Sequence, residues 1–206
     1  MVIIGAGIFA EEVQDIIQII GNLKIEAFIE GVNKERCEYL LNGIPIIWID
    51  ELEKINRNVE FFCAIGSPQR EHIIKVIENR GYNFTTLIHP STQIFPSVKI
   101  SEGSLIGAGS IIAAKTRIGK HVIVNRGCLV GHHVEIGNYV TISPGANIAG
   151  RCEIGDGSYI GMGAIIIDGV KIGANAVVGA GAVVTKNVPD NVQVVGVPAS
   201  ITKHFI

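Results

Sequence analysis

Residues 118–148 read IGKHVIVNRGCLVGHHVEIGNYVTISPGANI, and a large aliphatic returns at every sixth position: Ile118, Val124, Val130, Ile136, Ile142 and Ile148. Followed outward, the series runs from Ile88 to Val184 as 17 consecutive Ile or Val residues. Four residues after each stands a second series, from Thr92 and Val98 to Ala182 and Val188, made only of Ala, Ser, Thr, Cys or Val. The position directly after the large aliphatic is glycine in 8 of the 17 hexads, from Gly107 to Gly179. A helix repeats near 3.6 residues and a strand at two, so a period of six belongs to neither.

The physical reading is a prism. One branched aliphatic per hexad points inward and stacks on its equivalents in neighbouring coils. The smaller residue fills the corner and glycine eases the turn. Each inward Ile contributes about 1.5–3 kcal/mol by leaving water. The array has no insertion, so this half carries no long lid loop.

The first ~85 residues follow a different pattern. Val2–Ile4 reads as a strand ending at Gly5-Ala6-Gly7, Glu11 to Ile20 as an amphipathic helix, and Ile25–Ile29 and Glu60–Ile65 as further strands. Ser67-Pro68 reads as a helix start, and Gly81 as the stop of that helix. The expected organisation is an α/β Rossmann-like unit over residues 1–86 and a β-helix over 87–206.

Composition narrows the function. Hydrophobic residues make up 48% and charged residues 17% of the 206, which excludes disorder. The net charge of −2 gives no nucleic-acid signal, although residues 1–84 hold 8 Lys+Arg against 13 Asp+Glu and the remainder 9 against 6. The mildly basic second half suits an anionic ligand. Cys37, Cys63, Cys128 and Cys152 show neither paired nor zinc spacing, which predicts reduced thiols and an intracellular, cytoplasmic protein. The N-terminus reads as neither signal peptide nor membrane span.

Five stretches carry a family resemblance: Gly131-His132-His133-Val134-Glu135-Ile136-Gly137, Ser143-Pro144-Gly145-Ala146, Gly196-Val197-Pro198-Ala199, Gly5-Ala6-Gly7-Ile8-Phe9 and Leu87-Ile88-His89-Pro90-Ser91. With the hexad array they resemble the NeuD/PglD family of sugar acetyltransferases over nearly the whole chain. The resemblance implies a left-handed β-helix, a homotrimer, and acetyl-CoA as co-substrate in a cleft between adjacent β-helices. It also implies no metal, and an N-terminal unit holding the nucleotide of a nucleotide-linked amino sugar.

Residue by residue, the resemblance makes His132 the general base, with His133 standing where relatives carry an acidic residue. By spacing alone His132 falls on an outward corner, where solvation is the ordinary reading. Attack of an amine or hydroxyl on a thioester needs a proton acceptor, and a free imidazole titrates near pH ~6.5. Glu135 or a neighbouring subunit are alternative sources of a supporting carboxylate. Thr141, Gly150, Met162 and Ala180 match cofactor contacts, with Thr141 where relatives often place a second histidine. On the nucleotide side, Gly5, Gly7 and Phe9 lie at the first strand–helix turn, Glu30 ends the second strand and is placed to take a ribose hydroxyl, and Gly66 lines the same crevice. Ile8 and Ala10 stand where relatives often have glycine. His89 reads as structural, and His72, His121 and His204 as surface residues.

The expected reaction is acetyl transfer to the amine of a nucleotide-linked 4-amino-6-deoxy sugar in glycan biosynthesis. The alternatives are O-acetylation of a sialic or related nonulosonic acid, a zinc hydratase on the same helix, and a non-catalytic trimeric scaffold. No Ser/His/Asp or Cys/His signature argues for a covalent acyl-enzyme.

Overall fold

The computed structural model describes residues 1–205. The chain forms two compact units, Met1–Gly66 with Arg70–Leu87, and Ser67–Gln69 with the residues from Ile88 onward.

The first unit is built on a six-stranded sheet in the order β3-β4-β2-β1-β5-β6, with β1 Val2–Ile4, β2 Ala27–Glu30, β3 Leu40–Leu41, β4 Ile44–Trp48, β5 Glu60–Cys63 and β6 Asn83–Phe84. The pairs β1–β2, β1–β5, β2–β4 and β5–β6 are parallel, and β3 joins antiparallel as a hairpin on β4. Val2, Ile3, Ile4, Phe28, Ile29, Phe61 and Phe62 are buried. Strands buried on both faces read as continuous apolar runs, and these three do. Helix α1 spans Ile8–Ile20 and buries Val13, Ile16 and Ile17, ending at Gly21 in the left-handed region. Helix α2 spans Glu71–Asn79 and buries Ile74 and Ile77. Pro68–Arg70 forms a 3-10 turn before it, so the expected start at Ser67-Pro68 falls one turn early. Strands β3 and β4 escape the sequence reading, because Pro45 and the short Leu40–Leu41 segment break the apolar run that marks a central strand.

The second unit is a three-sided parallel β-helix. Seventeen two-residue strands recur every six residues from Leu87–Ile88 to Val183–Val184. Partners lie one coil of 18 residues apart, as in Ile111 with Leu129 and Arg117 with Glu135. Three sheets of eight, six and five strands form the walls, and Val192–Gly196 and Ala199–His204 close the eight-stranded wall as an antiparallel pair. Every large aliphatic from Ile106 to Val184 is buried, as is every corner residue from Ser104 to Val188.

The polar members of the corner series have partners inside. Thr116 Oγ1 donates to the Gly131 carbonyl at 2.7 Å and accepts from Val134 N at 3.3 Å. Ser110 does the same for Asn125 and Cys128, and Ser158 for Gly173 and Ala176. A buried hydroxyl left unpaired would cost about 1–3 kcal/mol, and here each braces the turn of the next coil.

The three walls differ on their outer surface. One shows Lys99, Arg117, Glu135, Glu153 and Lys171, with Arg117–Glu135 and Lys171–Glu153 ion pairs. A second shows Ile111, Leu129, Asn147, Ile165 and Val183, of which Leu129 and Ile165 are each 43% exposed. The third outer row, Leu105, Ile123 and Thr141, is buried within the single chain.

Candidate active site

His132 occupies the edge where the apolar wall turns into the charged wall. The corner is held by backbone bonds on both sides: Gly131 N donates to Ile148 O, His133 N to Ala114 O, and Arg151 N to His132 O, all within 2.9 Å. Both imidazoles are exposed. His133 lies in the left-handed region with φ 56°, a conformation shared along the same edge by Lys115, Arg151 and Gly169. That turn aims the two rings at each other. Their Nδ1 atoms are 3.1 Å apart and their planes cross at 88°.

Gly150 sits above His132 on the next coil. A Cβ there would lie 2.7 Å from His132 Cε1, 2.8 Å from its Nε2 and 3.0 Å from Asp168 Oδ1. The missing side chain is therefore the seat of the His132 ring, and Asp168 Oδ1 borders the same space. Asp168 in turn pairs with Arg151. This carboxylate lies two coils along from the base. Only the 18-residue coil register, reading 132, 150 and 168 as one column, could have found it in the sequence.

The other expected cofactor contacts lie elsewhere on this unit. Met162 and Ala180 are both exposed and share a different edge, in the column of Arg126 and Pro144. Thr141 faces outward from a third wall but is only 2% exposed. One chain thus places Gly150 and His132 on one edge and Met162 and Ala180 on another.

His121 is not a surface residue. It is 1% exposed and stacks on Tyr139 at 5.4 Å between ring centroids. Gly103 one coil below makes this possible, since a Cβ there would lie 2.1 Å from His121 Nδ1. His89 is half-buried, and its Nδ1 accepts from Ser91 N at 3.1 Å, a local turn contact.

In the first unit, Gly5 has φ +100° and a Cβ would crowd the Ala64 carbonyl at 3.1 Å, so the chain needs glycine there. Gly7 caps α1 with no side-chain hydrogen bond. Phe9 is half-buried, and Gly66 is open, with no atom within 4 Å of where a Cβ would stand. Glu30 is occupied differently from expectation. Its Oε1 accepts from the backbone N–H groups of Gly31, Val32 and Asn33 at 2.8–3.3 Å. Its Oε2 meets Arg36 Nη1 at 3.4 Å, and the same nitrogen lies 3.5 Å from the Ala6 carbonyl. Glu30 therefore folds the loop after β2 and holds a half-exposed guanidinium over the Gly5–Gly7 turn. Arg36 lies in the short 3-10 helix Lys34–Glu38, and no sequence motif flags it.

All four cysteine thiols are pushed above their ordinary range, with burial the largest cause in each. Burial pushes the Cys63 thiol up to about 12 and that of Cys128 up to about 11. Cys128 and Cys152 Sγ instead lie 3.2 Å from the Ser143 and Ile167 carbonyls. Among the described residues no three His, Cys, Asp or Glu side chains form a group that could hold a metal ion. Nor is any described helix long and apolar enough to cross a membrane.

Comparison with known proteins bears on this geometry. The PglD N-terminal domain family matches residues 1–88, and the bacterial transferase hexapeptide family (six repeats) matches residues 115–150 and 151–186. The chain is 31% identical to perosamine N-acetyltransferase from Caulobacter crescentus, over 98% of this chain and 96% of that one, with a TM-score of 0.90. That protein was solved as a histidine-to-asparagine variant in complex with CoA and GDP-perosamine. This chain belongs to the NeuD/PglD family of sugar acetyltransferases. Two further members are similar along their length. The acetyltransferase domain of PglB from Neisseria gonorrhoeae, in complex with acetyl coenzyme A, is 30% identical over 98% of each chain, with a TM-score of 0.90. WeeI from Acinetobacter baumannii is 34% identical over 98% of each chain, with a TM-score of 0.89. The β-helix is accordingly of the left-handed kind that the family resemblance implies, against the right-handed rule for most parallel connections.

Proposed function

We propose that this protein transfers the acetyl group of acetyl-CoA to the amine of a nucleotide-linked 4-amino-6-deoxy sugar, with His132 as the general base. The observation that carries the reading is the seat at Gly150. It seats an exposed imidazole on a β-helix edge with no side chain at the position beside its Nε2. The acceptor nitrogen forms its bond to the thioester carbonyl carbon and gives its proton to His132 Nε2. The carbon–sulfur bond breaks, and CoA leaves as a thiolate that takes up a proton. Cys63, Cys128 and Cys152 are buried, and the thiol of the half-buried Cys37 is also pushed up, so none is set up as a thiolate to carry the acyl group between the two substrates.

The nucleotide belongs to the first unit in this reading. Arg36, clamped by Glu30, presents its remaining guanidinium donors beside the glycine turn, a suitable partner for a diphosphate. An amine acceptor is favoured over a nonulosonic hydroxyl because the similar Caulobacter protein is an N-acetyltransferase crystallised with GDP-perosamine. The assembly is read as a homotrimer. His132 and Gly150 lie on one edge and Met162 and Ala180 on another, so a cleft using all four takes one edge from each of two copies, and the exposed Leu129–Ile165 wall supplies an apolar surface to bury between them.

The test is a substrate panel. CoA release is measured with acetyl-CoA and UDP-, dTDP- or GDP-linked 4-amino-6-deoxy sugars, beside free nonulosonic acids. Turnover with at least one nucleotide amino sugar, giving an N-acetyl product by mass, is expected. Turnover with nonulosonic acid alone would establish the O-acetylation alternative instead.

A further inference from the structure

The partner of the base in this chain is a second imidazole, and its geometry has chemical consequences. We infer that His133 is a positioning residue: its Nδ1 accepts the Nδ1–H of His132, which leaves the Nε2 of His132 as the nitrogen that takes the acceptor's proton. The inference rests on the reading of His132 as the base.

The 3.1 Å separation of the two Nδ1 atoms is a hydrogen bond that only one proton can occupy. With that proton on His132, its Nε2 holds a lone pair over Gly150, and His133 carries its own proton on Nε2. With the proton on His133, His132 must carry a proton on Nε2 and cannot act as a base. An acceptor N–H arriving over Gly150 is compatible only with the first arrangement.

A neutral imidazole differs from a carboxylate in one respect that matters here: it also takes up protons near neutrality. When the pair gains one extra proton, the charge is shared across the Nδ1···Nδ1 bond. Whichever ring is formally charged, Nε2 of His132 then carries a proton. Either way the pair with one extra proton offers no lone pair at that nitrogen. The charged groups around them are Lys115 and Arg151 on the same edge, Asp168 beyond Gly150 and paired with Arg151, and Glu135 on the adjoining wall, 3.7 Å from Arg117. Asp168 Oδ1 borders the same position at Gly150 as the Nε2 of His132, and Arg151 pairs with it.

The backbone makes the test clean. His133 sits at φ 56°, and Asp and Asn are the non-glycine residues that adopt this region most readily. His133→Asp supplies a fixed negative charge, which favours the imidazolium. The base is then held protonated to higher pH, so the acid limb of kcat/KM moves up, by about one pH unit. His133→Asn accepts the same hydrogen bond without charge and leaves kcat within roughly threefold. His133→Ala removes the acceptor and lowers kcat about tenfold with the KM for acetyl-CoA unchanged.

The profiles are recorded from pH ~5.5 to ~9 on variants with wild-type melting temperature, with His132→Ala alongside. In the wild-type dead-end complex with CoA and the amino sugar, ¹⁵N NMR of the imidazoles should find the His132 proton on Nδ1. An acid limb unmoved in His133→Asp, full kcat in His133→Ala, or a His132 proton on Nε2 in that complex would each overturn the inference while leaving the base intact. Full activity in His132→Ala would instead overturn the base itself.

Discussion

At the scale of single residues, the site is defined as much by an absent side chain as by present ones. The family resemblance gives Gly150 a cofactor contact, yet a methyl group there would also fall on the edge of the His132 ring. The atoms it would strike belong to an exposed, rotatable side chain. Gly150→Ala should therefore displace the imidazole without unfolding the coil. The expected result is a kcat lowered by about tenfold or more, with a melting temperature within ~2 °C of wild type. The residue type and spacing of His132 are legible in the sequence. The orientation of its ring is not, because it is set by residues 18 and 36 positions away that meet it only once the coils stack. Glu30 teaches a related lesson. Its place at the end of β2 is readable, but three backbone donors and Arg36 claim its carboxylate first. His121 departs from its expected surface position for the reason that makes Gly150 informative: a glycine one coil away opens a slot for a ring.

At the scale of elements, the hexad series determines the β-helix because every sixth residue answers to the same inward environment. No such repetition governs the first unit, where β3 and β4 form an edge hairpin too short and too interrupted to announce itself. The central strands of that sheet are readable as apolar runs, and β5 carries a testable electrostatic consequence. Cys63 stands at its end, fully buried, with its thiol pushed up from 9.0 to about 12 by burial. Above pH ~9 the unfolded chain loses that proton and the folded chain keeps it, so the folded state binds more protons and unfolding is favoured as pH rises. The contribution is fully present below pH ~9 and declines by about 1.4 kcal/mol per pH unit up to the folded value. Urea unfolding between pH ~8 and ~11 should show this slope, and Cys63→Ala should make it shallower, while lowering stability at pH ~8 through the cavity it leaves.

At the scale of the whole molecule, the separation of His132 and Gly150 from Met162 and Ala180 on different edges predicts sites shared between copies. His132→Ala damages one edge and Ala180→Trp blocks the other, so each variant alone should be nearly inactive. Mixed trimers formed by co-expression should recover roughly a quarter of wild-type activity, since a sound site needs an intact edge from each of two neighbours. Lack of any recovery, or a monomer by sedimentation with full turnover, would mean each chain works alone.

The most direct test of the central claim is the rate of CoA release by purified His132→Ala against wild type, with acetyl-CoA and the best nucleotide-linked amino sugar from the panel. If His132 is the base, kcat falls at least about a hundredfold, with the melting temperature and acetyl-CoA binding unchanged. A variant that keeps wild-type kcat would contradict it, because the proton would then be taken by another group, such as the Asp168 carboxylate that borders the same position at Gly150.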